Sequence, residues 1–225
     1  MTKKIPTEST WSVKVGTDTT TALASITPDA PVVILAHGAG GNMSDRSMLG
    51  LSKALVAHGL TVVRFNFLYK EKGSGRPDPM PRLESTFTAV VEHVRAELSP
   101  GKLLIGGRSM GGRAGSMMAS KGFTCDGLLL LAYPLHPPGQ PEKLRDAHLP
   151  SIEVPVLCFS GTRDTFCTPA LMEKALKAVK TRWEMRWIEG ADHSFHVPKS
   201  SGTTDAGVLE DVALTTKRWV KTLGG

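Results

Sequence analysis

Three residues of the types needed for nucleophilic catalysis each follow a predicted strand: Ser109, Asp164 and His193. A serine hydroxyl is a weak nucleophile at neutral pH and needs an adjacent base. Imidazole can take that proton and return it to a leaving group, and a carboxylate on its other ring nitrogen fixes the tautomer. We therefore predict a catalytic triad in which Ser109 is the nucleophile, His193 the base and Asp164 the acid.

The segment around Ser109 reads LLIGGRSMGGRAGS over residues 103–116, an apolar run that stops at glycines. Gly107-Arg108-Ser109-Met110-Gly111 matches G-x-S-x-G, the pattern of a sharp strand-to-helix turn called a nucleophile elbow. Such a turn strains the residue at its apex and brings backbone close, which glycines on either side tolerate. The pattern predicts that the turn lifts the Ser109 hydroxyl above the sheet.

Two backbone N–H groups are predicted to form an oxyanion hole for a tetrahedral intermediate. The N–H of Met110 directly follows the nucleophile, and the glycine-rich loop after His37 offers the N–H of Ala39. His37 itself is predicted to order this loop rather than to act as a base. "HGAGG" lacks the G-x-G-x-x-G spacing and "GGRSMGG" lacks the Lys-Ser/Thr of a P-loop, so no cofactor is predicted.

Two neighbours of His193 offer alternative assignments. Asp192 precedes it and His196 follows three residues later. His193 is preferred because it directly follows Gly-Ala-Asp at the exit of a predicted strand. Asp192 is predicted to shape this loop and to point away from the ring, since neighbouring side chains on an extended segment diverge. The histidines lack ligand spacing and no acidic cluster joins them, so no metal site is predicted.

The elements that must position these residues alternate along the chain. Continuous apolar runs and period-two segments predict strands at 11–16, 20–26, 31–38, 60–69, 102–107, 127–135, 154–161 and 182–190. Helical spacing predicts helices at 44–59, 83–98, 110–120, 169–179 and 207–224. This order indicates an α/β fold with a mostly parallel sheet, right-handed crossovers and helices on both faces. No linker-like stretch divides the chain, so we predict a single domain over residues 1–225.

Composition limits the possible partners and compartment. The 225 residues carry a formal net charge of +6, but the basic residues are scattered without interleaved aromatics, so no nucleic acid is predicted as partner. No apolar run approaches the length of a membrane span, and no signal-peptide pattern follows the first lysines. Three cysteines without a C-x-x-C pair do not suggest a disulfide framework. We therefore expect a cytoplasmic protein without membrane association.

Several longer segments carry a more specific resemblance. "HGAGGNM", "RFNFLYKEKGSGRPDP", "GGRSMGGRAGS", "AYPLHPPGQPEKLRDAHL" and "GTRD" resemble a small branch of the α/β-hydrolases over residues 30–196. That branch includes bacterial hydrolases related to dienelactone hydrolases, testis-expressed hydrolase-like proteins and a subunit of a non-specific-lethal histone acetyltransferase complex. The resemblance implies the α/β-hydrolase fold and the triad Ser109, Asp164 and His193. It implies no known substrate.

The combined pattern predicts a serine hydrolase of the carboxylesterase or thioesterase type. It would act on small-molecule esters through an acyl-enzyme intermediate. No long insertion follows 127–135, where many hydrolases of this fold carry a helical lid, so we predict a lidless domain. Two alternatives stay open, since the acyl-enzyme does not dictate its acceptor and the resemblance also implies a scaffolding role for some eukaryotic members of the branch. They are an acyltransferase and a non-catalytic protein-interaction module that retains the fold.

Basic residues in the predicted loops suggest a substrate preference. A shallow mouth offers little apolar area to long acyl chains, and a basic rim would steer anionic substrates toward it. We predict short acyl groups, with a modest advantage for substrates that carry a carboxylate. The rim is predicted to consist of Lys70, Lys72, Arg76, Arg82 and Lys143.

Arg108 is an unusual residue inside an elbow, and a buried guanidinium requires a partner. The structural interpretation, an ion pair with an acid such as Glu71 or Asp78, is favoured over binding of a substrate carboxylate.

Overall fold

A single eight-stranded sheet organises residues 6–224, which are the residues that the computed structural model describes. The strand order is β1-β2-β4-β3-β5-β6-β7-β8. β1 and β2 form an antiparallel hairpin, β2 runs antiparallel to β4, and the other neighbours are parallel. The strands are β1 Thr7–Val15, β2 Asp18–Ile26, β3 Val32–Ala36, β4 Thr61–Phe65, β5 Leu103–Arg108, β6 Gly127–Leu131, β7 Val156–Gly161 and β8 Trp183–Ile188.

Helices cover both faces of this sheet, as predicted. They are α1 Arg46–Ala57, α2 Leu68–Glu71, α3 Met80–Leu98, α4 Met110–Ala119, α5 Pro169–Leu176 and α6 Asp205–Val220. Buried residues of α1 and α6 pack on one face, and those of α3, α4 and α5 pack on the other. Among residues 6–224, no helix has the combination of length and apolar character that crossing a membrane requires.

The central strands are apolar at every position because both of their faces are covered. All five residues of β3 are buried, and they alternate between two cores. Ile34 and Ala36 contribute to the core beneath α3 and α4, whereas Val33 and Leu35 contribute to the core beneath α1 and α6. Because these strands run parallel, their carboxyl ends meet at one edge of the sheet, where ligand sites of such sheets form.

Two predicted strands are shorter than their apolar runs. β4 ends at Phe65 opposite Ala36, the last residue of β3, so the chain beyond it has no partner on β3 and turns into α2. β6 ends at Leu131, and Ala132 takes a left-handed φ of 50°. The connection 132–155 is described throughout and contains one 3-10 turn, Leu149–Ser151, but no α-helix. This connection therefore contains no helical lid, in agreement with the predicted lidless domain.

The start of α4 packs directly on the backbone of β3. A Cβ on Gly111 would lie 2.4 Å from the Ala36 carbonyl oxygen, and a Cβ on Gly107 would lie 2.1 Å from the same oxygen. Neither strand nor helix can move aside, because the contact is backbone against backbone. Both glycines of the G-x-S-x-G pattern are therefore required by the close approach of these elements.

Replacing Gly111 by alanine tests this contact. Alanine favours a helix over glycine by about 1 kcal/mol, yet we expect Gly111→Ala to destabilise the protein by about 1–3 kcal/mol because its methyl group overlaps the β3 backbone. The measurement is the urea unfolding midpoint. Gly50→Ala is the control within α1, since its methyl group would meet only the end of the Leu209 side chain. Equal effects of the two substitutions would contradict the proposed role of the backbone contact.

Candidate active site

Ser109 lies at the apex of the turn between β5 and α4. Its backbone has φ 49° and ψ −116°, a left-handed conformation that costs a non-glycine residue about 1–3 kcal/mol. Two hydrogen bonds hold it there: its N–H donates to the Leu131 carbonyl at 2.8 Å, and its carbonyl accepts from the Arg113 N–H at 3.0 Å. The neighbouring strand and the first turn of the helix together impose this conformation.

The three residues predicted to form a triad lie in contact. Ser109 Oγ is 3.0 Å from His193 Nε2, and His193 Nδ1 is 2.8 Å from Asp164 Oδ2. Asp164 is 1% exposed, and its other oxygen accepts the N–H of Phe166 at 2.8 Å. Because a carboxylate only accepts, Nδ1 carries the proton and the Nε2 lone pair faces the serine hydroxyl.

A residue of the nucleophile elbow, Arg108, binds the loop that carries His193. Arg108 Nη2 donates a hydrogen bond to the His193 carbonyl oxygen at 2.7 Å. Burial lowers the pKa of Arg108, and the charges of Asp45, Asp192 and Asp164 oppose that shift. A half-buried guanidinium thus links the nucleophile turn to the histidine loop.

The partners that the sequence suggested for Arg108 were wrong. The Glu71 carboxylate accepts the N–H of Thr21 at 3.0 Å, and Asp78 accepts the N–H of Tyr69 at 3.0 Å. Both acids are therefore engaged on the side of α2. A backbone carbonyl 85 positions away gives no signal in the sequence that could have identified it as the partner.

Asp192 shapes the histidine loop, as predicted. Its Oδ1 accepts the N–H of Ser194 at 2.7 Å and the N–H of His196 at 3.0 Å. The His196 ring is turned toward Asp205, 3.0 Å away, and this hydrogen bond raises the pKa of His196. Neither alternative residue contacts Ser109.

Two side chains fix the glycine-rich loop after β3. The buried His37 accepts the N–H of Phe67 on Nε2 at 3.1 Å, which leaves Nδ1 to donate to the Gly38 carbonyl at 2.8 Å. Burial lowers the pKa of His37, which favours this neutral form. The Tyr69 hydroxyl donates to the Ala39 carbonyl at 2.8 Å. His37 thus has the ordering role predicted for it, whereas no sequence pattern indicated a role for Tyr69.

The two amides predicted as oxyanion donors lie beside the same cavity as Ser109. Ala39 and Met110 both line it. Within residues 6–224, the N–H groups of Ala39 and Met110 have no hydrogen-bond acceptor. Two unpaired amides next to a serine hydroxyl can stabilise an oxygen on which negative charge develops.

The cavity has a volume of about 720 Å³ and contains basic groups other than those predicted. Arg108, Arg113 and Arg145 line it, whereas the five residues of the predicted rim do not. Two of those five, Lys72 and Arg82, form ion pairs with Asp18. The predicted rim was wrong because the loop 70–82, which carries four of its residues, turns toward the β1–β2 hairpin, and Lys143 binds Gln140 instead. Across residues 6–224, no three His, Cys, Asp or Glu side chains form a group suited to a metal ion.

Comparisons with known proteins identify the fold of the chain. A family model described as "Alpha/beta hydrolase domain" matches residues 29–221. A dienelactone hydrolase from Anabaena variabilis superposes with a TM-score of 0.76 at 22% identity over 97% of this chain and 99% of that one.

Two further solved structures are similar. A Xanthomonas campestris protein described as an α/β serine hydrolase without a lid has a TM-score of 0.74 at 21% identity, with 94% of each chain covered. Est1E from Butyrivibrio proteoclasticus, solved with ferulic acid, has a TM-score of 0.76 at 16% identity over 95% of this chain and 98% of that one. The predicted α/β-hydrolase fold is confirmed.

The contact between Asp164 and His193 predicts how the serine reacts with a fluorophosphonate probe. We expect Asp164→Asn to slow labelling of Ser109 by about a hundredfold or more, because the histidine loses the partner that fixes its tautomer. Asp192→Asn is the matched control, since an amide oxygen can still accept the two loop N–H groups. Labelling rates followed by mass spectrometry decide between the two acids, and the opposite ranking would assign the acid to Asp192.

Proposed function

The chain belongs to the α/β-hydrolase domain family, and on that premise we propose that it is a serine hydrolase of carboxylic esters or thioesters with small acyl groups. Ser109 is the nucleophile, His193 the general base and acid, and Asp164 the residue that orients the imidazole. The N–H groups of Ala39 and Met110 form the oxyanion hole. A small-molecule ester is the substrate.

One observation carries this proposal: the continuous hydrogen-bonded path from the Ser109 hydroxyl through His193 to a buried carboxylate. Its two distances, 3.0 and 2.8 Å, lie within reach for proton transfer. A serine in the left-handed region adds weight, since such strain is kept where the surrounding structure enforces it.

The proposed reaction begins with acylation. His193 Nε2 takes the Ser109 hydroxyl proton as Oγ attacks the carbonyl carbon of the ester, forming a tetrahedral intermediate. Its oxyanion accepts hydrogen bonds from the Ala39 and Met110 N–H groups. The carbon–oxygen or carbon–sulfur bond to the leaving group then breaks, and the imidazolium gives its proton to that group. An acyl-Ser109 ester remains.

Deacylation repeats these steps with water. His193 removes a proton from a water molecule, whose oxygen attacks the acyl carbon, and the same two amides stabilise the second oxyanion. Collapse releases the carboxylic acid and returns the proton to Ser109 Oγ. The charge of Asp164 stabilises the imidazolium in both halves of the reaction.

The form of the cavity supports a small substrate. Its volume falls within the range of about 300–1,000 Å³ usual for small-molecule sites. The connection 132–155 adds no helix above it, so a long acyl chain would find little apolar surface. The solved relatives with named activities or ligands, a dienelactone hydrolase and a ferulic-acid-bound Est1E, are consistent with this choice.

Other sequence predictions stay predictions. They are membership of the branch that includes the testis-expressed and non-specific-lethal-complex proteins, a single domain over residues 1–225, and a cytoplasmic location. The same holds for the absence of nucleic-acid and membrane partners.

Removing the nucleophile is the direct test of the proposed function. We expect Ser109→Ala to reduce hydrolysis of 4-nitrophenyl acetate by about a million-fold, to the level of the solution reaction, with the circular dichroism spectrum unchanged. Ser194→Ala is the control, because it removes a cavity-lining hydroxyl while keeping the N–H that binds Asp192. Turnover above background in Ser109→Ala would show that the nucleophile is misassigned.

The wild type also separates the proposal from its alternatives. No turnover and no labelling by a fluorophosphonate would favour the non-catalytic interaction module. Transfer of the acyl group to an added alcohol that is faster than its transfer to water would identify an acyltransferase.

Acyl-chain length tests the proposed substrate class. Each buried methylene contributes about 0.8 kcal/mol, and a lidless cavity buries few of them. We therefore expect kcat/KM to be highest for 4-nitrophenyl acetate or butyrate and lower for octanoate and palmitate. Assays below the micellar concentration of each ester give the comparison. A maximum at octanoate or beyond would contradict the small-acyl proposal.

A further inference from the structure

Two arginines share the cavity with Ser109 and have no role in the proposed reaction. Arg113 lies on α4 one helical turn beyond Ser109, and Arg145 lies in the connection 132–155. The backbone holds both in place, since the Arg113 N–H donates to Ser109 and the Arg145 carbonyl accepts the Tyr133 hydroxyl at 2.8 Å. Both side chains are partly buried. Two guanidinium groups therefore line one cavity from separate elements.

Neither guanidinium is neutralised by the protein. Within residues 6–224, neither forms an ion pair or donates a hydrogen bond, and Arg113 Nε is a buried atom without a partner. Burial lowers the pKa of Arg145, and the positive charge of Arg113 lowers it further. Like charges that share a partly buried site without counter-charge are costly unless a ligand supplies one.

The carboxylates of the same cavity are engaged elsewhere. Asp45 accepts the N–H of Met48 at 2.9 Å and the hydroxyl of Ser47 at 2.7 Å. Asp78 accepts the N–H of Tyr69 at 3.0 Å and lies 3.6 Å from Arg82. The third arginine, Arg108, is bound to the His193 carbonyl. The positive charge left without a partner is that of Arg113 and Arg145.

We propose that Arg113 and Arg145 form an anion-binding subsite that holds a carboxylate or phosphate group of the ester substrate while Ser109 attacks its carbonyl. This inference rests on the proposed function and narrows its substrate class to anionic esters. Guanidinium groups bind either anion through paired, charge-assisted hydrogen bonds. The anion would lie several bonds from the carbonyl, because residues one helical turn apart have Cβ atoms about 5–6 Å apart.

This subsite differs from steering by an exposed basic rim. Attraction between exposed charges is strongly screened by salt, whereas hydrogen bonds to a partly buried anion are screened much less. A preference for anionic esters that depends on the cavity arginines should therefore persist at high salt.

The test compares esters that differ only in charge. The mono-4-nitrophenyl ester of adipic acid carries a terminal carboxylate, and methyl 4-nitrophenyl adipate is its uncharged counterpart. A second pair, 4-acetoxybenzoate and its methyl ester, places the carboxylate on the leaving group. The measured quantity is the ratio of kcat/KM for the charged ester over the uncharged one, at low and high salt.

In the wild type we expect this ratio to exceed about tenfold for at least one pair, and Arg145→Gln to reduce it about tenfold or more, as loss of a charge-assisted hydrogen bond would. Arg145→Lys should restore part of it. Arg113→Gln should act in the same direction, but Arg145 is the primary test because Arg113 lies in the first turn of α4, whose N–H groups hold Ser109 in place. Arg76→Gln removes an arginine of the predicted rim that does not line the cavity, and it should leave the ratio unchanged.

The subsite is refuted if both ratios are near one while Ser109-dependent hydrolysis is intact, or if Arg145→Gln and Arg76→Gln reduce the ratio equally. If the wild type hydrolyses no ester, calorimetry on Ser109→Ala with adipate and with inorganic phosphate decides. Binding that Arg145→Gln abolishes would keep the subsite while the proposed hydrolase function falls. Absence of such binding would refute the subsite as well. The anion that binds with the higher affinity, adipate or phosphate, identifies whether the subsite binds a carboxylate or a phosphate group.

Discussion

The candidate active site depends on one backbone contact, the approach of α4 to β3 at Ala36. The glycines on both sides of Ser109 lie against the Ala36 backbone, and no side chain would fit between them. The same approach brings the glycine-rich loop to the serine, since a Cβ on Gly38 would lie 3.5 Å from Ser109 Cβ. Close main-chain packing thus positions Ser109 and the two amides proposed as oxyanion donors, and His37 and Tyr69 hold the glycine-rich loop in place.

Arg108 extends this rigidity across the sheet. Its guanidinium belongs to the elbow, but it binds the carbonyl of His193, so the serine and the histidine are joined by a link besides their own hydrogen bond. A charge-assisted hydrogen bond of this kind contributes about 1.5–3 kcal/mol. Its charge is also compensated at a distance by three aspartates, one of them Asp164. The residue that seemed out of place in the elbow pattern therefore has a structural function there.

Apolar periodicity was enough to predict the sheet and the strand ends that bring Ser109, Asp164 and His193 together. Such patterns indicate which face of a strand or helix is buried, and they can be recognised without knowing the paths of the loops. The partner of Arg108 and the arginines of the cavity could not be predicted, because their positions depend on the paths of the loops. Arg145 lies in a connection rich in proline and charge, where no apolar periodicity indicates which way a side chain points. The partner of a charged side chain also depends on where two loops meet in the folded chain. α2 was missed because its buried Leu68 and Tyr69 continue the apolar run of the preceding strand.

The strand order places His193 at the edge of the sheet and Ser109 at its centre. His193 follows β8, which is the last strand of the sheet and is only partly buried, whereas Ser109 follows β5 in its middle. Strands at a sheet edge open locally at lower free energy than those in the core. Opening of that edge would carry the imidazole away from the hydroxyl while the central strands stay paired. For the proposed hydrolase, the lifetime of activity at high temperature would then be set by the edge of the sheet, and inactivation would be a local event that precedes unfolding.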